Sequence, residues 1–188
     1  RGLAFMNSML VKYCQYAKYE NVRVTIPRTV VVATDYFDAF IRNNGLEYVL
    51  TTEMTDEEIL SEFVSSTLPY KLREALKAYV RTVSGPLAVR SSSKLEDSHY
   101  QPFAGIYSTY MIPYTEGNED RQLRLLQKAI KSVYASTYFA ASKAYVQSSQ
   151  NLIAEEKMAV VIQEVCGTEQ DGLFFPTLSG VARSINYY

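Results

Sequence analysis

The chain has 188 residues, of which 47% are hydrophobic and 21% charged, a composition typical of one globular domain rather than a disordered or fibrous chain. Its 19 Lys+Arg and 20 Asp+Glu residues leave a formal net charge of −1, which excludes charge-driven binding to nucleic acid or to an anionic membrane. The longest strongly apolar run, residues 158–162, is far shorter than the roughly 18 to 20 residues that span a bilayer, so no membrane span is expected.

Hydrophobic spacing predicts three elements in the first quarter of the chain. Residues 2–18 carry apolar side chains at intervals of three and four, the period of an amphipathic helix. The β-branched run at residues 29–33 predicts a buried strand. Residues 35–43 predict a helix that ends near Gly45, because glycine readily adopts the left-handed conformation found after a helix.

Two further helices and a strand are predicted next. Thr55 and Glu58 have the spacing of a capping box, so a helix begins there. Pro69 fits the first turn of another helix, which a Ser-Gly-Pro sequence ends. Residues 87–89 predict a short buried strand that delivers Arg90 to its end.

The second half of the chain begins with a predicted strand at residues 106–112. Residues 118–148 predict one long helix with acidic residues in its first turn, the charge order that the helix dipole favours. Residues 158–165 and 180–185 predict a pair of strands.

The mixture of helices with strands that are not adjacent in sequence predicts an α+β or α/β domain. The chain carries no internal repeat and no low-complexity linker. We therefore expect no separate second domain, and we divide the chain into approximate subdomains 1–112 and 113–188.

Cysteine and histidine are too few for most common catalytic and metal sites. Cys14 and Cys166 have no further ligand at metal-binding spacing, so we expect neither a disulfide nor a metal site. Unpaired thiols fit a reducing, cytoplasmic setting, and no signal peptide is recognisable. His99 is the single imidazole and is interpreted as a solvated loop residue. Neither of the two commonest glycine-rich nucleotide-binding motifs is present.

One segment combines a cation, hydroxyls and glycine in a way that suits a small polyphosphate. Arg90 is followed by three serines, and the chain returns through residues 103–105 to Thr109. A guanidinium group can fork onto two phosphate oxygens, and hydroxyls or backbone amides can complete the site. On physical grounds alone, an ordinary surface ion pair of Arg90 with Glu96 or Asp97 remains an open alternative.

The same segment resembles a known family. Three of its motifs are similar, in residues and in spacing, to the Val-Arg-Ser-Ser, Glu-Asp and Phe-Ala-Gly signature of the nucleotide-binding domain in phosphoenolpyruvate synthase and pyruvate phosphate dikinase: Pro86-Leu87-Ala88-Val89-Arg90-Ser91-Ser92, Glu96-Asp97 and Phe103-Ala104-Gly105. Residues 159–165 and 179–182 resemble the family's Val-x-Val-Gln and Ser-Gly-Val segments, and residues 2–46 resemble its opening region.

The resemblance implies an ATP-grasp nucleotide site of α+β class, incomplete at both ends, with ATP held between subdomains. In the family a phosphoryl group passes from ATP to a histidine on a separate swivelling domain and from there to pyruvate in a third domain. Carried over by motif position, Arg90 would contact the ATP phosphates and stabilise the charge that moves onto the leaving group. Gly105 and Thr109 would lie in the loop beneath the phosphates, and Gln163 would lie at the base and ribose end.

The resemblance also implies ATP as the cofactor, pyruvate as a partner through other domains, and Mg²⁺ held by ligands outside this chain. The family's early ATP-contacting lysine would precede Arg1 and its magnesium ligands would follow Tyr188, so we expect the isolated chain to be inactive. Ile106 and Tyr107 replace polar residues of the family pattern. Two alternatives follow: a tyrosine-rich regulatory or interaction module that keeps the fold, and a related dikinase with a different acceptor.

Overall fold

The structure is a computed structural model that describes residues 2–13, 20–22, 24–93, 107–148, 157–182 and 184–185. Its internal contacts divide the chain into a larger unit, Arg28–Glu164, and a smaller unit formed by Arg1–Pro27 and Val165–Tyr188. Within the described ranges, every helix is too short or too polar to cross a bilayer.

The elements follow one another as a mixture of helices and short strands, as expected for an α+β chain. In chain order they are α1 Gly2–Lys12, β1 Thr29–Val32, α2 Thr34–Asn44, a 3₁₀ helix Leu46–Leu50, α3 Asp56–Ser65, α4 Tyr70–Val80, β2 Leu87–Ser92, β3 Tyr110–Ile112, α5 Glu119–Ser136, α6 Ala140–Ser148, β4 Ala159–Glu164, β5 Thr168–Gln170 and β6 Leu173–Phe175.

The larger unit is built on a four-stranded sheet in the order β1-β4-β2-β3, in which every neighbouring pair is antiparallel. Helix α5 contacts β2 and β3, and α2 contacts β4. Leu87 and Val89 of β2 and Val160 and Ile162 of β4 are buried in the core. The larger unit therefore forms two layers, with helices packed against one face of the sheet. Strands from both sides of residue 112 share this sheet, and the predicted subdomain division there stays a prediction.

Local signals set several helix ends as predicted. Thr55 Oγ1 accepts from the backbone N–H of Glu58 at 3.2 Å, and Glu58 Oε2 accepts from the backbone N–H of Thr55 at 2.8 Å. This reciprocal pair is the capping box that starts α3. Gly45 follows α2 with φ 62°, the left-handed conformation that glycine adopts without a Cβ clash. Pro69 lies at the N-cap of α4, one residue before its predicted place.

Aromatic side chains form the centre of the helical layer. The ring centroid of the fully buried Tyr134 lies 5.0 Å from that of Phe37, edge to face, and 5.5 Å from that of Phe40. The ring of Tyr138 lies 5.4 Å from that of Phe63 and also stacks on Phe37. Burial, and then the charge of a nearby aspartate, raise the pKa of Tyr134. These two tyrosines are therefore core residues, in which a large apolar ring carries a polar tip.

The helix predicted over residues 118–148 is wrong in one respect, because it is broken at Thr137–Phe139 into α5 and α6. The backbone N–H of Ala140, at the start of α6, donates to Asp56 Oδ1 at 2.8 Å. Ser142 Oγ donates to the carbonyl of Ser136, at the end of α5, at 2.7 Å. The bond to Asp56 satisfies an N–H group that the break would otherwise leave unpaired, and it comes from a helix 84 residues away in sequence. The bond from Ser142 adds to one that the backbone N–H of Phe139 makes with the same carbonyl at 3.5 Å.

Two predicted strands also differ from the structure. The run at residues 29–33 forms β1, which lies at the edge of the sheet. Val31 is 60% exposed rather than buried, because side chains alternate along a strand and Val31 lies on the face that the helices do not cover. The described residues of the 180–185 segment form no strand. The pairing partners of β4 are instead β1 and β2, on either side of it.

The smaller unit contains α1 and the hairpin of β5 and β6. Helix α1 ends at Lys12 and buries no side chain, so the burial predicted from its periodicity is absent in this described part. The hairpin turns at Asp171 and Gly172, with φ of 53° and 77°. Asp-Gly with both residues in the left-handed region is the preferred two-residue turn for a hairpin.

Replacing Thr55 by alanine tests the capping box. The change removes the hydroxyl that accepts from Glu58 N–H, so we expect the free energy of unfolding to fall by about 0.5 to 2 kcal/mol. Urea unfolding followed by circular dichroism measures the difference. Thr52→Ala, at a nearby exposed position outside a helix, is the matched control. Equal stability of the two variants would contradict the assigned role of Thr55.

Glu58 makes the same cap dependent on pH. Its hydrogen bonds with Thr55 lower the pKa of Glu58 from the ordinary value of 4.5. A group with a lowered pKa stabilises the folded state above its unfolded pKa and loses that contribution as the pH falls through its folded pKa. The stability advantage of the parent chain over Glu58→Gln should therefore shrink between about pH 6 and about pH 3. Urea midpoints across this range measure it, and a constant difference would contradict the linkage.

Tyr134 offers a test of the core. Its hydroxyl is buried and has no hydrogen-bond partner in the described structure, and leaving such a group unpaired costs about 1 to 3 kcal/mol. Tyr134→Phe should therefore keep or increase the free energy of unfolding, whereas Tyr134→Ala should lower it by about 3 to 5 kcal/mol. Thermal unfolding of both variants provides the comparison. A clear loss of stability in Tyr134→Phe would show that the hydroxyl is satisfied.

Candidate functional site

The candidate site is the face of the four-stranded sheet that points away from the helical core. Side chains alternate between the two faces of a strand, and Leu87 and Val89 of β2 point into the core. Ala88 and Arg90 therefore point to the other face, which we call the outer face. The register of the antiparallel pairs places residues of all four strands there: Thr29, Val31, Ala88, Arg90, Ser92, Met111, Ala159, Val161 and Gln163.

Arg90 lies within β2 and not at its end, so the predicted strand end at residue 89 is wrong. Ladder pairing with β4 continues through Arg90 opposite Val161 as far as Ser92 opposite Ala159. A serine-rich sequence alone is a weak strand signal, but β4 supplies a partner for its backbone. The Arg90 side chain is exposed on the outer face. It forms no ion pair within the described ranges, and Glu96 and Asp97, its alternative partners, lie outside them.

Gln163 lies on β4, on the same face as Arg90. Its flanking neighbours across the sheet are Thr29 of β1 and Ala88 of β2. The half-buried Gln163 amide donates from Nε2 to Thr29 Oγ1 at 2.9 Å. Because Arg90 pairs with Val161, two residues before Gln163, the two predicted site residues are diagonal neighbours on adjacent strands, a relation that separates Cα atoms by about 7 to 8 Å.

Thr109 immediately precedes β3 and is exposed. The last pair of the β2–β3 ladder is Val89 with Tyr110, so Thr109 lies one residue beyond the end of that ladder. The strand register thus brings Arg90 and Gln163 to one face of the larger unit, and Thr109 directly precedes β3 of the same sheet. Gly105, the fourth predicted site residue, lies outside the described residues, and so does His99.

The outer face presents one formal charge, that of Arg90, among its nine described strand positions. Valine, alanine and methionine side chains supply most of the remaining surface, and Met111 is 62% exposed. A single guanidinium beside hydroxyl and amide groups favours a small anionic ligand that also has an apolar or ring-shaped part.

A second polar group of residues, which sequence analysis missed, fixes the end of the sheet beside Gln163. Arg28 Nη1 donates to the carbonyl of Thr82 at 2.6 Å and lies 3.5 Å from Glu164 Oε1. The backbone N–H of Glu164 donates to the carbonyl of Arg28 at 2.9 Å. Burial raises the pKa of neighbouring Tyr79, with a further increase from the charge of Glu164 and an opposing effect of Arg28. These partners are far apart in sequence, so residue spacing carries no signal for them.

Neither a metal-binding cluster nor a cavity marks the outer face in the described part of the chain. The described residues include no group of three His, Cys, Asp or Glu residues that could hold a metal ion. Cys166 is exposed and free, and Cys14 is outside the description. Two cavities of about 410 and 470 Å³ lie at the start of α5 and at the start of α3, and neither is lined by Arg90, Thr109 or Gln163. The outer face is therefore chosen as the candidate site because of its residue chemistry and not because of a cavity.

Comparison with known proteins identifies similar sequences over most of the chain. The profile of the family described as "Pyruvate phosphate dikinase, AMP/ATP-binding domain" matches residues 6–188. The chain is 31% identical over 157 residues to the "Uncharacterized phosphotransferase YvkC" of Bacillus subtilis (strain 168), covering 80% of this chain and 17% of that protein. It is 29% identical over 174 residues to the "Phosphoenolpyruvate synthase" of Aeropyrum pernix, covering 81% of this chain and 20% of that enzyme. The chain spans about a fifth of the length of these curated relatives.

Proposed function

Because the chain belongs to the pyruvate phosphate dikinase AMP/ATP-binding domain family, we propose that the outer face of its sheet binds ATP for phosphoryl transfer within a longer phosphotransferase. The observation that supports this assignment most directly is the position of Arg90. It is the single formal charge among the described strand positions of that face, and Gln163 lies diagonally from it on the next strand.

In this proposal Arg90 binds and orients the phosphates. Its planar guanidinium can donate to two phosphate oxygens at once, and it stays positively charged at any physiological pH. Thr109, which directly precedes β3, is assigned a hydroxyl contact with the phosphates. When the γ- or β-phosphoryl group leaves, a fixed cation stabilises the charge that develops on the oxygens without a further reorganisation of the site.

Gln163 is assigned to the base and ribose end of the nucleotide. An amide offers both a donor and an acceptor, which suits the mixed hydrogen-bonding edge of a purine. In the β2–β4 ladder Val161 lies opposite Arg90 and Ala88 lies opposite Gln163, and their aliphatic side chains can contact an apolar ring. ATP would thus extend across β2 and β4, with its charged end at Arg90.

The wider reaction is proposed from the family. The phosphoryl group would pass from ATP to a histidine on another domain of the longer protein and then to pyruvate. Mg²⁺ would accompany ATP, and the family resemblance implies that its ligands lie outside this chain. Gly105 is proposed to lie beneath the phosphates, as in the family pattern.

Two alternatives remain as candidate functions. In one, the acceptor is a molecule other than pyruvate, which would change the other domains and leave this face unchanged. In the other, the domain is a non-catalytic regulatory or interaction module. Tyr107, whose presence favoured a tyrosine-rich binding surface, is buried at 6% exposure and therefore adds nothing to such a surface. Acid-labile phosphorylation of the full-length protein by ATP would favour the catalytic function over the regulatory one.

Arg90→Ala in the full-length polypeptide tests the phosphate role. A hydrogen bond to a charged group contributes about 1.5 to 3 kcal/mol, so we expect the affinity for ATP to fall at least tenfold. Isothermal titration calorimetry measures the change. Arg124→Ala removes a guanidinium from the exposed surface of α5 and is the matched control. Unchanged ATP affinity in Arg90→Ala would show that the phosphates bind elsewhere.

A further inference from the structure

We propose that Thr29 is a positioning residue, which holds the amide of Gln163 in the orientation needed at the base and ribose end of ATP. This inference rests on the proposed ATP site and adds a residue to it from a different strand. Thr29 lies in the opening region, residues 2–46, to which the resemblance assigns no site residue.

The sheet register places Thr29 directly beside Gln163. The two residues are partners in the β1–β4 ladder, and Ala88 is the partner of Gln163 on the opposite side. The Ala88 methyl group cannot form a hydrogen bond, whereas Thr29 Oγ1 accepts from Gln163 Nε2 at 2.9 Å. Of the two residues that flank Gln163 in the sheet, Thr29 is therefore the one that can fix its amide.

Thr29 itself lies at an anchored point of β1. The preceding residue, Arg28, is held through its side chain by the Thr82 carbonyl and the Glu164 carboxylate, and through its carbonyl by the backbone of Glu164. A β-branched side chain such as threonine also has few rotamers. The hydroxyl of Thr29 is thus presented to Gln163 from a backbone that is fixed on two sides.

This arrangement leaves part of the Gln163 amide for a ligand. The bond to Thr29 uses one of the two N–H groups of Nε2, so the second N–H and the lone pairs of the carbonyl oxygen can pair with a nucleotide. A glutamine side chain that is held before binding loses less conformational freedom when the ligand arrives. Thr29 would therefore increase the affinity for ATP without touching it.

The experiment compares two ligands in the full-length polypeptide, with Mg²⁺ present. ATP has a base and inorganic tripolyphosphate does not, so only ATP should respond to changes at the Gln163 end. Thr29→Val keeps the shape of the side chain and removes the hydroxyl. We expect it to weaken ATP binding about three- to tenfold, the range of one hydrogen bond, and to leave tripolyphosphate affinity within about twofold. Thr29→Ser keeps the hydroxyl and should bind ATP nearly as the parent does.

The control variants separate failure of this inference from failure of the proposed function. Thr29→Ala provides a second hydroxyl-free variant, and unchanged tripolyphosphate binding shows that each variant is folded. If Gln163→Leu weakens ATP binding while Thr29→Val and Thr29→Ala do not, the positioning role is wrong and the ATP site stands. Equal weakening of both ligands by Thr29→Val would also overturn the positioning role. If neither Gln163→Leu nor Arg90→Ala affects ATP binding, the proposed site itself is wrong.

Discussion

Strand β4 is the element on which the larger unit depends, because it is hydrogen-bonded along both edges, to β1 and to β2. Its alternation places Val160 and Ile162 in the helix-covered core and Val161 and Gln163 on the outer face. A shift of register by one residue would exchange these two sets, burying the Gln163 amide and exposing apolar side chains. The same hydrophobic pattern therefore fixes the core and decides which residues are available to a ligand.

Sequence reasoning succeeded where the determining interactions are local. The Thr55–Glu58 cap and the glycine after α2 act within three or four residues, and both have the predicted geometry. It failed where a distant partner decides the local structure. Strand β2 continues for three residues beyond its predicted end, because β4 pairs with them. The long helix predicted after residue 118 is divided into α5 and α6, and Asp56 accepts from the Ala140 N–H at the start of α6. The Asp-Gly turn between β5 and β6 was a local signal that could have been used.

The candidate site shows the same division. Its motif resemblance identified Arg90, Thr109 and Gln163. The strand register places Arg90 and Gln163 on one face and Thr109 just before β3, and ATP contact by each of them is a proposal. The Thr29 hydroxyl contacts a group 134 residues away in sequence, and Arg28 contacts Glu164 near the other end of the larger unit, so only the assembled sheet brings them together. Periodicity predicts that a residue lies on a strand, but the choice of strand neighbours depends on the whole fold.

The position of β1 at the edge of the sheet has a consequence for synthesis of the protein. Within the described structure its single neighbouring strand is β4, which begins more than a hundred residues later in the chain. On the ribosome, β1 and its valine side chains must therefore wait, without their strand partner, until β4 has left the exit tunnel. Such a delay lengthens the time during which an unpaired apolar strand is accessible to chaperones or to other nascent chains. The ladder that brings Thr29 to Gln163 is thus among the last parts of the larger unit that can form.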